Sequence, residues 1–277
     1  MRDLALLELI EKSLKEDVGT GDITTLSTIP ADRTAKGRFL AKEDGVLCGM
    51  DVCRAVFEYV DPTVVFTANV SDGTPIRKGE VLAEISGNAR SILTGERLSL
   101  NLLQHMSGIA TRTAEAVAKV AGTGARIADT RKTTPGLRVL EKYAVRCGGG
   151  SNHRFNLADG VLIKDNHIRA AGSITAAVGM AKANIPHTLK IEVEVESFAE
   201  LEEALAAGAD IIMLDNMTCA DMKKAVELVA GRALTEASGN MGERDLREVA
   251  ETGVDLISIG ALTHSVKALD ISLKFEF

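Results

Sequence analysis

The side chains best suited to chemistry lie between Ala128 and Arg169. This stretch contains eight lysines and arginines against four acidic residues, so its formal charge is +4 in a chain whose net charge is −7. The basic residues are Arg131, Lys132, Arg138, Lys142, Arg146, Arg154, Lys164 and Arg169. Arginine binds a carboxylate through two parallel hydrogen bonds, and lysine supplies a movable point charge. A basic pocket in an acidic protein therefore indicates a small ligand with several anionic groups, and it disfavours nucleic acid.

A solvated charged face is the alternative interpretation of this stretch, because most runs of charge are solvated. The stretch, however, contains Pro135-Gly136 and three consecutive glycines at 148–150. A solvated helix does not need such residues in its midst. Glycine frees the backbone for conformations that other residues avoid, which indicates a shaped binding loop.

Short apolar runs place these cations at the ends of strands. Arg131 and Lys132 follow the run 126–128, and Lys164 follows the run 161–163. Strand and helix patterns then alternate, with strand centres near Ile127, Leu162, Ile191, Ile212, Leu234 and Ile257. The last four centres are 21 to 23 residues apart, which is typical of a repeated βα unit. Six such apolar strands favour a (β/α) barrel over an open doubly wound sheet, and no G-x-G-x-x-G motif follows a strand.

The later strands end in carboxylates and then in small residues, at the edge where α/β barrels carry their active sites. These residues are Glu192, Glu194, Asp215, Glu236, Ser238, Gly239, Asn240, Gly260 and Ala261. The last two loops each precede a predicted helix, so we expect both to bind phosphate at a helix N-terminus. The alternatives are a structural polar layer for the first two glutamates, a helix cap for Asp215 and simple turns for the glycines.

The first third of the chain has a different pattern. Helical spacing predicts an amphipathic helix over residues 3–16, followed by an irregular segment from Asp22. Short strands separated by turn pairs indicate a small α+β domain between about 36 and 85. A helix over 91–104 follows, with more apolar residues than a helix covering only its own domain should expose. On this pattern alone, Arg97 is a surface charge.

The composition is that of a globular protein with few aromatic residues. Aromatics make up 3% of the chain, which disfavours base-stacking platforms for single-stranded nucleic acid. The four cysteines are dispersed without a C-x-x-C pair, so we expect free thiols in a reducing compartment and no zinc site. The N-terminus lacks a long apolar run, so we expect no signal peptide, no membrane span and a cytoplasmic protein.

Four motifs of the basic stretch resemble those of the quinolinate phosphoribosyltransferases, also called carboxylating nicotinate-nucleotide pyrophosphorylases. They are DTRKTTPGLR (Asp129 to Arg138), KYAV (Lys142 to Val145), GGGSNHR (Gly148 to Arg154) and LIKDNHI (Leu162 to Ile168), in the family's order and spacing. ERLSLNLLQHMSGIAT (Glu96 to Thr111) and EASGNM (Glu236 to Met241) extend the resemblance to essentially the whole chain.

The resemblance implies an α/β fold with an incomplete (β/α) barrel as its C-terminal domain and a smaller N-terminal α+β sandwich domain. The implied domains are residues 1–107, with the tail 267–277 packed against them, and the barrel 108–266. The implied reaction converts quinolinate and phosphoribosyl pyrophosphate to nicotinate mononucleotide, pyrophosphate and CO2, in de novo NAD biosynthesis. The implied cofactor is Mg²⁺, and neither nucleic acid nor membrane is an expected partner.

The resemblance also implies roles for individual residues. Quinolinate is bound by Arg131, His153, Arg154 and Lys164. The phosphoribosyl side is served by Lys132, Glu192, Asp215, Ser238, Gly239 and Gly260, with Thr130 and Asn240 also in the substrate site. The catalytic residues are Lys132, Lys164, Glu192 and Asp215. Glu192 and Asp215 meet Mg²⁺ indirectly, through pyrophosphate, and Arg97 completes the quinolinate site of a neighbouring subunit in a homodimer or higher even-numbered oligomer.

Other interpretations stay open at this point. Lys164 at a strand end suits a Schiff-base aldolase, although such a lysine needs a mostly apolar pocket. A non-catalytic binding protein on the same scaffold is a second possibility. Within the superfamily, nicotinate phosphoribosyltransferase and a molybdenum-transport-associated relative are further alternatives, but the full set of predicted quinolinate ligands favours a dicarboxylate over a monocarboxylate.

Overall fold

The chain divides into two compact units in a computed structural model that describes residues 4–276. The first unit comprises residues 4–114, 135–149 and 266–276, and the second comprises 115–134 and 150–265. Residues 1–3 and 277, at the ends of the predicted first helix and the predicted tail, lie outside the described residues.

The division differs from the predicted boundary after residue 107. One helix runs without a break across that position, and Gly108 within it lies so close to the tail that an added Cβ would be 2.1 Å from the Lys267 carbonyl oxygen. Residues 108–114 therefore stay with the first unit, and so does the segment 135–149.

The first unit contains a four-stranded antiparallel sheet, a two-stranded ribbon and helices. The larger sheet has the order β12-β1-β5-β3, and its strands are β1 (Thr34–Ala41), β3 (Val65–Ala68), β5 (Val81–Asn88) and β12 (Ile271–Glu276). The ribbon consists of β2 (Gly45–Val46) and β4 (Pro75–Ile76). The helices are α1 (Leu4–Val18), α2 (Ile23–Thr28), α3 (Met50–Val60), α4 (Ala89–Lys119) and α5 (Arg138–Cys147).

Alternating burial builds the core of this unit. Alternate residues of β1 are buried because successive side chains of a strand point to opposite faces. Phe39 of β1 packs edge to face with Phe57 of α3, and Leu103 of α4 belongs to the same apolar core. The expected irregular segment after Asp22 is wrong, because the Asp22 carboxylate accepts a hydrogen bond from the Thr25 amide and begins the short helix α2.

The second unit is built on a six-stranded parallel sheet. Its strands are β6 (Arg126–Ala128), β7 (Val161–Ile163), β8 (Ile191–Val195), β9 (Ile211–Asp215), β10 (Leu234–Ser238) and β11 (Leu256–Ser258), in the order β6-β11-β10-β9-β8-β7. Arranged around a ring, the strands follow one another in chain order from β7 to β11, and β11 pairs with β6. The ring is open between β6 and β7, which do not pair. A single isolated bridge joins Ala128, at the end of β6, to Ser151. The predicted incomplete (β/α) barrel and all six predicted strands are confirmed.

The helices between these strands have clear local causes. They are α6 (Asp165–Ala171), α7 (Ile174–Asn184), α8 (Phe198–Ala207), α9 (Cys219–Val229), α10 (Leu246–Glu251) and α11 (Ala261–His264). Ser197 and Glu200 form a capping box that begins α8, and Gly208 ends it in a left-handed conformation. Within residues 4–276, no helix combines the length and the apolar composition needed to cross a membrane.

Candidate active site

A cavity of about 300 Å³ lies at the carboxyl ends of the barrel strands. Its lining residues are Thr130, Arg131, Lys132, His153, Arg154, Leu162, Lys164, Met213, Glu236, Ser238 and Ser258. Seven of these were predicted as substrate-binding residues, and they come from loops far apart in the sequence. The parallel strands bring them together because the carboxyl ends of all such strands meet at one edge of the sheet.

The basic side of the cavity is held by hydrogen bonds to the protein itself. Nη1 of Arg154 donates to the Gly160 carbonyl oxygen at 3.0 Å, and the Lys164 ammonium forms an ion pair with Glu194. Burial lowers the pKa of Arg154, and the nearby Arg131 guanidinium lowers it further. Two guanidinium groups this close repel each other, so an anion bound between them would relieve that repulsion.

His153 is fixed in one tautomer by its neighbours. The Arg154 amide donates to Nδ1 of His153 at 2.8 Å, so Nδ1 is an acceptor and the proton lies on Nε2. Nε2 then donates to the Glu192 carboxylate at 2.9 Å. The Asp129 side chain, 0% exposed, accepts from the His153 amide at 2.9 Å and from the Asn152 side chain at 2.5 Å. Asp129 thus orients the GGGSNHR segment.

A pair of buried carboxylates forms the floor of the site. Glu192 is 4% exposed and Glu236 is 1% exposed. Burial raises the pKa of Glu236 to about 7, and the Glu192 carboxylate adds to that shift. Oε1 of each glutamate is buried without a hydrogen-bond partner among the described residues. Because unsatisfied buried acceptors are costly, these oxygens indicate a ligand that supplies donors, such as hydroxyl groups or metal-bound water.

Asp215 and the loop after β10 lie side by side. Asp215 and Ser238 are paired residues at the ends of β9 and β10, and Asp215 accepts a hydrogen bond from the Asn216 side chain at 2.6 Å. The helix-cap interpretation of Asp215 is wrong, because Thr218 caps α9. Gly239 has a φ of 94°, and an added Cβ would lie 2.2 Å from Oδ1 of Asn216, so only glycine fits there.

The helix predicted after this loop, over 242–251, begins later than expected. Asn240 is also left-handed, with a φ of 51°, and α10 begins only at Leu246 with Asp245 as its cap. The loop therefore offers backbone N–H groups in a turn rather than a helix N-terminus. Backbone turns with left-handed residues form concave anion-binding sites of this kind.

Lys132 and Gly260 meet across the barrel opening. An added Cβ on Gly260 would be 3.0 Å from Cδ of Lys132, so the lysine stem packs over the glycine. The Thr263 hydroxyl donates to the Lys132 carbonyl oxygen at 2.8 Å and holds that loop in place. Two residues assigned to the phosphoribosyl side are thereby in contact.

Arg97 lies in the first unit, on α4, and its side chain is exposed. The prediction that this helix exposes an apolar surface is wrong. Ile92 and Leu103 belong to the core of the first unit, and Leu98 is also buried. The exposure of Arg97 agrees with a surface charge, and its donation to a second subunit stays a prediction.

Sequence reasoning left Asp129, Glu194 and Glu236 out of the assigned site. Each had a detectable signal: Asp129 directly follows a strand, Glu194 alternates with Glu192, and Glu236 lies on β10 two residues before Ser238. What the sequence did not reveal was their partners. Nε2 of His153 and the carboxylates of Glu192 and Glu236 lie within 4.8 Å of one another, so these three side chains form one polar cluster.

An open (β/α) barrel with basic residues and paired carboxylates at the carboxyl ends of its strands fits an enzyme of the phosphoribosyltransferase class. Comparison with known proteins specifies the family. The model for the quinolinate phosphoribosyl transferase N-terminal domain matches residues 22–107, and that for the C-terminal domain matches residues 109–274. The chain belongs to the quinolinate phosphoribosyltransferase family.

Individual relatives agree with this assignment. A probable nicotinate-nucleotide pyrophosphorylase [carboxylating] of Bacillus subtilis is 47% identical over 273 residues, which cover 99% of this chain and 94% of the relative. The crystal structure of NadC from Streptococcus pyogenes matches with a TM-score of 0.93 and 44% identity, over 100% of this chain and 99% of that one. Human nicotinic acid phosphoribosyltransferase, at 13% identity and a TM-score of 0.67 over 99% and 74% of the two chains, shares the fold alone.

Proposed function

We propose that this chain converts quinolinate and phosphoribosyl pyrophosphate to nicotinate mononucleotide, pyrophosphate and CO2, a step of de novo NAD biosynthesis in which one carboxyl group is lost. The observation that carries the proposal is the placement of Arg131, His153, Arg154 and Lys164 around one cavity. Three cations suit a ligand with two adjacent carboxylates, and His153 is held beside them by its hydrogen bond to Glu192. The names of the relatives support the same substrate class.

The cation side would bind and orient the pyridine dicarboxylate. Arg131 lies close enough to lower the pKa of Arg154, so a dianion bound between the two guanidinium groups replaces repulsion with attraction. His153 has its Nδ1 occupied by a backbone amide and points Nε2 toward the carboxylate floor. This arrangement would fix the ring nitrogen relative to the phosphoribosyl side. Holding the two reactants in this geometry accelerates the bimolecular step.

The carboxylate side would stabilise the ribose as the bond to pyrophosphate breaks. The ring nitrogen attacks ribose carbon 1 through a state with oxocarbenium character, and nearby carboxylates stabilise positive charge there. Glu192 and Asp215 occupy this side, and Lys132 is placed to stabilise the departing pyrophosphate. The loops at Ser238-Gly239-Asn240 and Gly260 supply backbone groups for the 5′-phosphate.

Decarboxylation would then follow at ring carbon 2. The bond to the carboxyl group breaks, CO2 leaves, and its electron pair stays on a carbon next to the cationic ring nitrogen before that carbon is protonated. The substrate supplies most of the electron sink, so the protein needs mainly to orient the ring and exclude water.

The residues of the site fit the Mg²⁺ that the family implies. Glu192 and Asp215 offer carboxylate oxygens, which Mg²⁺ prefers, and Oε1 of Glu192 is a buried acceptor without a protein donor. Because Mg²⁺ keeps several of its waters, these carboxylates would hold a hydrated ion that arrives with pyrophosphate. When bound, the ion neutralises part of the pyrophosphate charge.

We further propose a homodimer, or a higher even-numbered assembly, in which Arg97 completes the quinolinate site of the partner subunit. The exposed Arg97 side chain supports this, because it is available on α4 while the neighbouring apolar residues are buried. We also place the enzyme in the cytoplasm, which agrees with four cysteines that are free thiols.

Product analysis tests the proposed reaction. Purified protein is mixed with quinolinate, phosphoribosyl pyrophosphate and Mg²⁺, and nicotinate mononucleotide, pyrophosphate and CO2 are measured. We expect all three in equal amounts. The matched control replaces quinolinate with nicotinate, and efficient turnover of nicotinate with none of quinolinate would overturn the assignment.

A further inference from the structure

A second group of reactive side chains lies in the first unit, apart from the residues assigned to the reaction. Cys48 lies between β2 and α3, Asp72 between β3 and β4, and Cys147 is the last residue of α5. The two sulfur atoms and a carboxylate oxygen of Asp72 all lie within 4.8 Å of one another. Cysteines that the sequence presents as dispersed are therefore a close pair in the fold.

Hydrogen bonds hold this group in a defined position. The Cys48 amide donates to Oγ of Ser107 at 3.0 Å, and the Ser107 hydroxyl donates back to the Cys48 carbonyl oxygen at 3.1 Å. Asp72 accepts from the Met50 amide through Oδ1 and from the Tyr143 hydroxyl through Oδ2, both at 3.0 Å. The segments that carry the two cysteines are thus fixed on both sides of the pair.

The two thiols differ in accessibility. Cys48 is 0% exposed, whereas Cys147 is half-buried and can meet a small solute. A hydrogen bond from Cys48 lowers the pKa of Cys147, with a further contribution from Tyr143, and the same interaction raises the pKa of Cys48. The accessible thiol is therefore the better nucleophile, and the buried one retains its proton.

We propose that Cys48 and Cys147 are a redox pair that closes reversibly into a disulfide on exposure to hydrogen peroxide. The Cys147 thiolate attacks one peroxide oxygen, the O–O bond breaks, and hydroxide leaves to form water with a solvent proton. The Cys48 sulfur then attacks the sulfenic acid on Cys147 and loses its proton, and the S–O bond breaks to release a second water. Two thiols are oxidised and one hydrogen peroxide molecule is reduced, and a dithiol reductant reverses the change.

The separation of the sulfur atoms suits this closure. A disulfide needs about 2.05 Å between the sulfurs, and side-chain rotation with a small backbone adjustment brings atoms within 4.8 Å to that distance. A structural zinc ion fits the group less well. Structural zinc takes four ligands, and both oxygens of Asp72 already accept hydrogen bonds from Met50 and Tyr143.

Thiol mapping tests the pair in the full-length protein. The reduced, folded protein is treated with a small excess of hydrogen peroxide, quenched with catalase, denatured in acid, alkylated without reduction and digested. We expect the four free thiols to fall to two, with Cys48 and Cys147 found in one disulfide-linked peptide pair. Dithiothreitol should restore all four thiols.

Single variants separate the two steps. In Cys48→Ser, we expect a sulfenic acid on Cys147 that dimedone traps and no internal disulfide. Tyr143→Phe removes the hydroxyl that holds Asp72 and contributes to the lowered pKa of Cys147, so it should slow oxidation several-fold. The matched control Cys219→Ser removes the other half-buried cysteine and should form the disulfide as the unmodified chain does.

Three results would overturn the proposal. One is oxidation confined to Cys219 or Cys53. Another is retention of all four thiols in the folded protein under conditions that oxidise the urea-unfolded chain. The third is one zinc ion per chain in the purified protein that is lost in Cys147→Ser. Since the peptide map of the unmodified chain decides the first two, the test stands even if a variant does not fold.

Discussion

A pocket of about 680 Å³ lies at the amino-terminal ends of β8 to β11. Its volume is more than twice that of the candidate active site at the carboxyl ends of the strands. Asp210 and Asp255 line this larger pocket, and both are bonded to the sheet. Asp210 accepts from the Ile191 amide at 2.8 Å, and Asp255 accepts from the Thr235 amide at 2.7 Å and its hydroxyl at 2.8 Å. These hydrogen bonds fix the alignment of neighbouring strands at this end of the sheet.

The carboxyl ends differ in how their charges are satisfied. Glu192 and Glu236 each keep one buried oxygen without a partner among the described residues, and Arg154 lies beside a second guanidinium. Unsatisfied acceptors and neighbouring cations cost folding free energy unless a ligand compensates. We therefore assign the chemistry to the smaller cavity, although the pocket at the amino-terminal ends is larger.

The largest effect is expected at Arg97, which we propose completes the site of a second chain. We expect Arg97→Ala and Lys132→Ala to be nearly inactive when assayed separately. Unfolding the two variants together and refolding them should restore about a quarter of the sites, because random two-fold pairing places both lesions in one site of each mixed dimer. Each variant refolded alone is the control. Activity that stays at the level of the separate variants, despite confirmed subunit exchange, would place Arg97 in its own subunit's site.

A smaller effect is expected on the pH dependence of stability, because of the buried pair Glu192 and Glu236. Stability is measured without ligand and with a chelator present. The folded pKa of Glu236 is about 7, above the ordinary 4.5, so the folded state holds a proton that the unfolded chain has released in this window. Stability should therefore fall as pH rises from 4.5 to 7. Glu236→Gln removes the titration, so the unmodified chain should lose about 2–3 kcal/mol more than the variant across this range.

Urea unfolding at pH 4.5 and pH 8 measures this difference. Glu236→Asp is the matched control, since it keeps a titrating group at the same strand position. Equal losses of stability in the unmodified chain and in Glu236→Gln would mean that Glu236 is ionised in the folded protein.

The smallest effect is expected at the amino-terminal ends. Asp255→Ala removes the acceptor for two Thr235 donors and should lower stability by about 1–3 kcal/mol. Affinity for quinolinate and for phosphoribosyl pyrophosphate should change less than about twofold, since lesions at the lower face of a barrel act on stability. A tenfold loss of affinity for either ligand in the folded variant would break the distinction between the two ends.

The sequence predicted the barrel because most of its strands are short and largely apolar and recur at a regular spacing. β7 and β9 are such apolar runs, and α8 and α9 have the bounds that their caps indicate. Local patterns failed where short-range polar contacts decide the structure. The helix α2 depends on one carboxylate of Asp22, and the late start of α10 depends on left-handed residues after β10.

The candidate site was predictable as a set of residues and unpredictable as a network. Strand ends and motifs identified Arg131, Arg154 and Lys164. The ion pair of Lys164 with Glu194, the tautomer of His153 and the raised pKa of Glu236 depend on distances that no sequence pattern contains. The closeness of Cys48 and Cys147 was hidden for the same reason, because it arises only from tertiary packing.

The most direct test of the account is a calorimetric titration of both substrates against two variants. Arg154→Ala removes a cation from the quinolinate side, and Asp215→Ala removes a carboxylate from the phosphoribosyl side. Losing one partner of a buried charge-assisted contact costs about 2–5 kcal/mol. We predict that Arg154→Ala weakens quinolinate binding by that amount with little change for phosphoribosyl pyrophosphate, and that Asp215→Ala does the reverse. Equal losses for both ligands in both variants would contradict the division of the site into two sides.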